Sequence, residues 1–139
     1  MATKADFTEQ EWEALQKGVT GAGLLVSLSD RSFFDTFKEA GALRKHIAQA
    51  RQSSSSELVR ELAEIHGTGF GLTSSPEDVE TGTLAALQSA NATLQSKAPD
   101  EMAAYRQFVV DVAKSVADAA GGGETAEGGA IEKITAALR

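Results

Sequence analysis

Cysteine is absent from this chain, and aromatic side chains make up only 6% of it. The first absence excludes disulfides, thiol nucleophiles and every thiolate-bound zinc or iron–sulfur site. The second, beside an apolar set dominated by Ala and Leu, disfavours sheets: strands draw on aromatic and β-branched residues, whereas Ala and Leu lose least on entering a helix. No apolar run approaches the roughly 18 residues of a membrane span. The opening MATKADFTEQEWEAL has no apolar signal region, so the expected location is cytoplasmic.

What the chain has in excess is negative charge. Twenty acidic residues against thirteen basic ones give a formal net charge of −7. Such a surface repels nucleic-acid phosphate and anionic lipid, so neither is an expected partner. The imbalance is uneven: residues 41–66 carry four basic and three acidic side chains, and residues 99–139 carry four basic and seven acidic. A cation is therefore more at home in the C-terminal third.

A chain of 139 residues can enclose one hydrophobic core. The expected architecture is all-α, a compact single-domain bundle of about six helices spanning residues 1–139, with residues 1–6 disordered and 67–74 an irregular connection. Thr8 and Glu11 form a capping box, and Phe7 and Trp12 occupy the staple positions. Trp12, Leu15, Val19, Ala22 and Val26 then line one face of a helix from Glu9 to about Leu28. After Ser29 and Asp30, the stripe of Phe33, Phe37, Ala40, Leu43, Ile47 and Ala50 predicts a second helix. Ser54 with Glu57 predicts the cap of a third, carried by Leu58, Leu62 and Ile65 as far as Gly67. Ser75, Pro76 and Asp78 open a fourth helix, faced by Leu84, Leu87, Ala90 and Leu94. Pro99 opens a fifth, in which Met102, Tyr105, Val109, Val112, Val116 and Ala119 make a stripe that Phe108, Val110 and Ala113 broaden enough to place it at the centre of the core. Gly121 to Gly123 end it, and GETAEGG predicts a polar bend before a short last helix with Ile131, Ile134 and Leu138.

The chemistry-bearing residues are sparse. His46 and His66 stand on separate segments without the HExxH spacing of a metal site, and read as surface or helix-end residues. No GxSxG elbow exists. Gly67, Gly69 and Gly71 have neither the preceding strand nor the charged partner of a phosphate loop, and read as a connector. Gly18, Gly21 and Gly23 lie inside the first helix, where each costs up to ~1 kcal/mol relative to Ala; close helix–helix approach is the usual reason. No catalytic or cofactor-binding residue is assigned. Two acidic junctions remain. Asp30, Asp35 and Glu39 flank the first bend, and Glu124, Glu127 and Glu132 surround the last. Hard divalent cations take several converging oxygens on a flexible loop, which makes these six the candidate metal ligands. Attraction of carboxylates to helix N-termini explains the same placement without a metal.

The stretch YRQFVVDVAKSVADAAGGG, its glycine-and-acid bend and the final IEKITAALR resemble the C-terminal half of tellurite-resistance TerB-like proteins. FTEQEWEAL, leading into an apolar helix ending at Asp30 with Glu39 beyond, is similar to their beginning. The resemblance covers most of the chain in pattern, least so in residues 70–98. It implies an all-α bundle of two related helical halves and, in some members, acidic loops that bind metal. Asp30, Glu39 and Glu132 match the family's acidic positions, whereas Ser29-Asp30-Arg31 and Gly122-Gly123-Glu124 stand where the family has Asp-Gly. The resulting expectation is a non-enzymatic binding or scaffolding module in bacterial stress response. The alternatives are a divalent-metal sensor or buffer using the acidic junctions, and a homodimeric or partner-docking module using apolar side chains at Phe33, Phe34 or Phe70.

Overall fold

Among the residues described below, six α-helices arise where the apolar stripes predict them. The computed structural model describes residues 4–27, 40–52, 56–64, 75–119 and 124–138. Within these, the helices are α1 (Glu9–Ser27), α2 (Ala40–Arg51), α3 (Glu57–Leu62), α4 (Pro76–Lys97), α5 (Met102–Ala119) and α6 (Glu124–Ala137), with 3₁₀ turns at Lys4–Asp6 and Pro99–Glu101. The described residues contain no strand. Nor is any helix among them long and apolar enough to cross a membrane.

Helix starts are set by local chemistry. The Thr8 amide donates to Glu11 Oε1 at 2.8 Å and the Glu11 amide donates to Thr8 Oγ1 at 3.1 Å, so two otherwise orphaned donors are satisfied reciprocally. Phe7 and Trp12 meet across this cap with ring centroids 5.9 Å apart. Lys97 at the end of α4 donates to Glu11 at 2.5 Å. That hydrogen bond, and then the one from the Thr8 backbone, hold the Glu11 carboxyl below its ordinary pKa. Ser75 and Asp78 form the matching box on α4, with Pro76 in its first turn.

The core is built around α1 and α5. Leu15, Val19, Ala22 and Val26 of α1 are buried together with Tyr105, Phe108, Val109, Val112, Ala113 and Val116 of α5. α5 touches every other helix of the bundle, as the width of its stripe predicts.

The most extensive helix contact is between α1 and α4, and two glycines bring them close. A Cβ on Gly18 would lie 2.4 Å from the Tyr105 hydroxyl and 2.9 Å from Leu87 Cδ2, and one on Gly21 would lie 2.2 Å from Thr83 Oγ1 and 2.9 Å from Thr83 Cβ. The space over Gly18 is used: Tyr105 reaches across it to donate to the Leu15 carbonyl at 2.8 Å. This hydroxyl is buried, which pushes its pKa far above the ordinary tyrosine value. Thr83 Oγ1, facing Gly21, is buried and has no hydrogen-bond partner, a cost the helix contact must outweigh.

Three local expectations are corrected. The GETAEGG segment is not a bend from Glu124 onward but the beginning of α6. Gly128 and Gly129 weaken that helix by up to ~1 kcal/mol each, yet buried Ile134, Ala137 and Leu138, with Ile131 packed against the core, hold it in place. The cap of α3 is Ser56, whose Oγ accepts from the Val59 amide, rather than Ser54. Ser56 wins because the same hydroxyl donates to Glu101 Oε2 at 2.6 Å, tying α3 to the turn before α5. α3 itself runs only to Leu62, with Ala63 as its C-cap. Leu28 to Glu39, with the proposed start of the second helix, and Ile65 to Ser74, with Gly67 and Phe70, lie outside the described residues.

The glycines sort by environment, which yields a contrast between two substitutions. Gly21→Ala is expected to lower the unfolding free energy by about 1–2 kcal/mol, because overpacking against Thr83 exceeds the gain in helix propensity. Combining it with Thr83→Ala should recover part of that loss. Gly129→Ala meets open space and should raise stability by about 0.5–1 kcal/mol. Urea titration of helical circular dichroism reads both, and equal effects of the two single changes would contradict the packing described. Tyr105→Phe removes only the hydrogen bond to Leu15 and should cost about 1 kcal/mol in the same assay; no loss would mean that bond is not formed.

Candidate functional site

The acidic residues singled out as metal ligands are only partly placed. Asp30, Asp35 and Glu39 lie outside the described residues. The backbones of Glu124 and Glu127 stand in the first two turns of α6, and Glu132 is exposed further along it. Glu124 and Glu127 therefore sit on a helix and not on the flexible loop a hard cation favours. Among the described residues no group of three or more His, Asp or Glu is arranged to hold a metal ion. His66 and the apolar trio Phe33, Phe34 and Phe70 are also outside them.

The structure instead brings together a polar junction between α2 and α5. On α2, Ile47 and Ala50 turn inward and are buried, while Arg44, Lys45, Ala48, Gln49 and Arg51 are exposed. His46 lies on the border between these faces. On α5, Val112, Ala113 and Val116 are buried, Lys114 and Asp118 are exposed, and Ser115 is on the border. Packing the two apolar stripes brings the border residues into register. His46 Nδ1 and Ser115 Oγ are 2.7 Å apart, and Ser115 Oγ lies 3.4 Å from Gln49 Oε1. His46 is thus half-buried in the middle of α2 rather than at a helix end.

The hydroxyl of Ser115 has one proton to give. If that proton goes to Gln49 Oε1, Nδ1 of His46 must carry the hydrogen that Ser115 accepts; if it goes to Nδ1, the contact with Gln49 is left without one. The short distance to His46 makes that bond the stronger of the two. Burial lowers the His46 pKa, and the neighbouring Lys45 charge lowers it further, so the imidazole is neutral near pH 7.

A serine hydroxyl touching a neutral imidazole is the contact from which nucleophile–base pairs are made. Ser115, however, sits inside α5. There the neighbouring backbone N–H groups are committed to the helical ladder and cannot turn to stabilise an oxyanion. The junction is better suited to holding two helices in register and presenting polar groups at their edge.

Around it stand exposed cations. Among the described residues Arg44, Lys45, Arg51 and Lys114 make no ion pair, whereas Lys97 is paired with Glu11 and Lys133 with Glu80. α2 contains no acidic residue at all. On α5, Asp111 and Asp118 flank Lys114, with Asp111 accepting from Gln107 Nε2 at 2.8 Å. One edge of an acidic protein is thus locally basic.

Sequence reasoning missed Ser115 altogether. Its only signal is position: it interrupts α5 beside the buried stripe, as His46 does in α2. The separation of 69 residues leaves no spacing to read. No family model, no curated protein and no solved structure matches this chain.

The lowered His46 pKa has a definite sign. Below the ordinary histidine value the unfolded chain takes up a proton that the folded chain resists, so stability falls as pH drops through that value and levels off only below the folded one. Wild type is therefore expected to lose more stability between about pH 7.5 and about pH 5.5 than His46→Gln does. Urea midpoints at the two pH values make the comparison, and identical pH dependence in the two proteins would contradict the placement of His46.

Proposed function

We propose that the chain is a non-enzymatic helical binding or scaffolding module whose working edge is the solvent side of α2 with the adjoining strip of α5. The observation that carries this reading is the set of exposed cations around the His46–Ser115 contact, none of them ion-paired to another described residue. In a chain with surplus carboxylate, exposed side chains of the minority sign are suited to contact another molecule. The frame behind them is suited to the task, because α5 is gripped by α1 through Tyr105 and by α2 through Ser115. Binding to a preordered edge avoids much of the entropic cost of ordering it. A binding role in bacterial stress response is also what the resemblance to TerB-like proteins implies.

A photo-crosslinking side chain installed at exposed Ala48 on α2, and separately at exposed Ala85 on α4, tests the reading in the native cell. A discrete adduct from Ala48 that is absent from Ala85 is the expected result. An adduct containing two copies of the chain would identify the partner as itself. Equal adducts from both positions, or none from Ala48, would sink the reading, as would an enzymatic activity abolished by Ser115→Ala.

A further inference from the structure

The chemistry of the edge narrows what it binds. From its charges we infer that the partner of α2 is a short acidic protein segment, carrying carboxylates at intervals along an extended or helical stretch. The inference rests on the binding role proposed above and adds the class of ligand to it.

Three observations support it. α2 presents Arg44, Lys45 and Arg51 without one carboxylate of its own. Each is exposed and none is ion-paired to another described residue. Neutral hydrogen-bonding groups, the amides of Gln49 on the same helix and of Gln52 just past its end, are exposed; carboxylates accept from amide N–H as well as from cations.

Length sets the size of the ligand. α2 has 12 residues and is therefore ~18 Å long. An extended segment of about six residues covers that distance at ~3.3 Å each.

The net charge of −7 selects among anions. Removing the three cations of α2 from the count leaves ten basic residues against twenty acidic in the remainder. A long polyanion or an anionic membrane would extend past the edge onto that acidic remainder and be repelled, whereas a short peptide is confined to α2. On α5, Asp111 and Asp118 beside Lys114 set the boundary of the cationic strip on that side.

The experiment is fluorescence anisotropy of the full chain with a fluorescein-labelled peptide of about eight alternating Glu and Ala residues, at low salt and at physiological salt. Saturable binding at low salt is expected, weakening by about tenfold at physiological ionic strength, where the Debye length falls to ~8 Å. Arg44→Glu, Lys45→Glu and Arg51→Glu should each weaken it by about three- to tenfold. Arg60→Glu, an equal charge change on α3, should alter it by less than about twofold. Circular dichroism confirms that each variant is folded.

Absence of binding at low salt overturns the inference. So does an Arg60→Glu effect as large as the α2 effects, which would make the attraction a matter of overall charge. Equal affinity for an oligothymidylate of similar length, or for vesicles containing phosphatidylserine, overturns it in favour of a general anion site. The two proposals separate cleanly: an adduct from Ala48 without peptide binding removes the acidic segment and leaves the binding edge, whereas loss of the adduct removes both.

Discussion

The bundle depends on the close approach of α1 to its neighbours at Gly18 and Gly21. With any side chain at Gly18, the Tyr105 hydroxyl could not lie over α1 and reach the Leu15 carbonyl. With one at Gly21, Thr83 would have to move, and with it α4. Ordinary helix pairs stand about 8–10 Å apart according to the side chains between them. Glycines at the contact let α1 and α4 meet backbone against side chain, at the expense of helix propensity in α1. That cost is tolerable because α1 is also held by its Thr8–Glu11 cap, the Phe7–Trp12 contact and the burial of Trp12, Leu15, Val19, Ala22 and Val26.

The position of α5 follows from this arrangement. Tyr105 pins its first half to α1, and the buried Phe108, Val109, Val112 and Val116 extend the contact along its length. With one flank committed to α1, the far flank is left for α2, and the border residues His46 and Ser115 meet there. The polar junction is thus a consequence of core packing, and the cations beside it are what remains of α2 once its apolar stripe is used. Helical amphipathicity accounts for an exposed polar face; it does not account for one carrying a single sign of charge in a chain of the opposite sign.

Much of the architecture is legible in the residues because helix signals are local. The capping boxes at Thr8 and Ser75, the Pro76 start and the stripes of α1, α4 and α5 each arise within one or two turns, where spacing alone determines which side chains share a face. Where local signals compete, reading by propensity fails. Glycines in GETAEGG argue for a bend, yet Ile131, Ile134 and Leu138 bury enough surface to carry α6 back through them. In the serine run, several residues offer the same hydroxyl, and Glu101, far along the chain, selects Ser56.

The amino-acid order by itself therefore dictated the helical class, the absence of thiol chemistry, the acidic balance and the central place of α5, since composition and short-range periodicity contain them. It could raise the question of Gly18 and Gly21 but not answer it. Only the packed molecule decided that those glycines admit Tyr105 and Thr83, and that His46 meets Ser115. Each of these is a contact between segments distant in sequence, and such contacts are settled by how several apolar faces are satisfied at once rather than by any one of them.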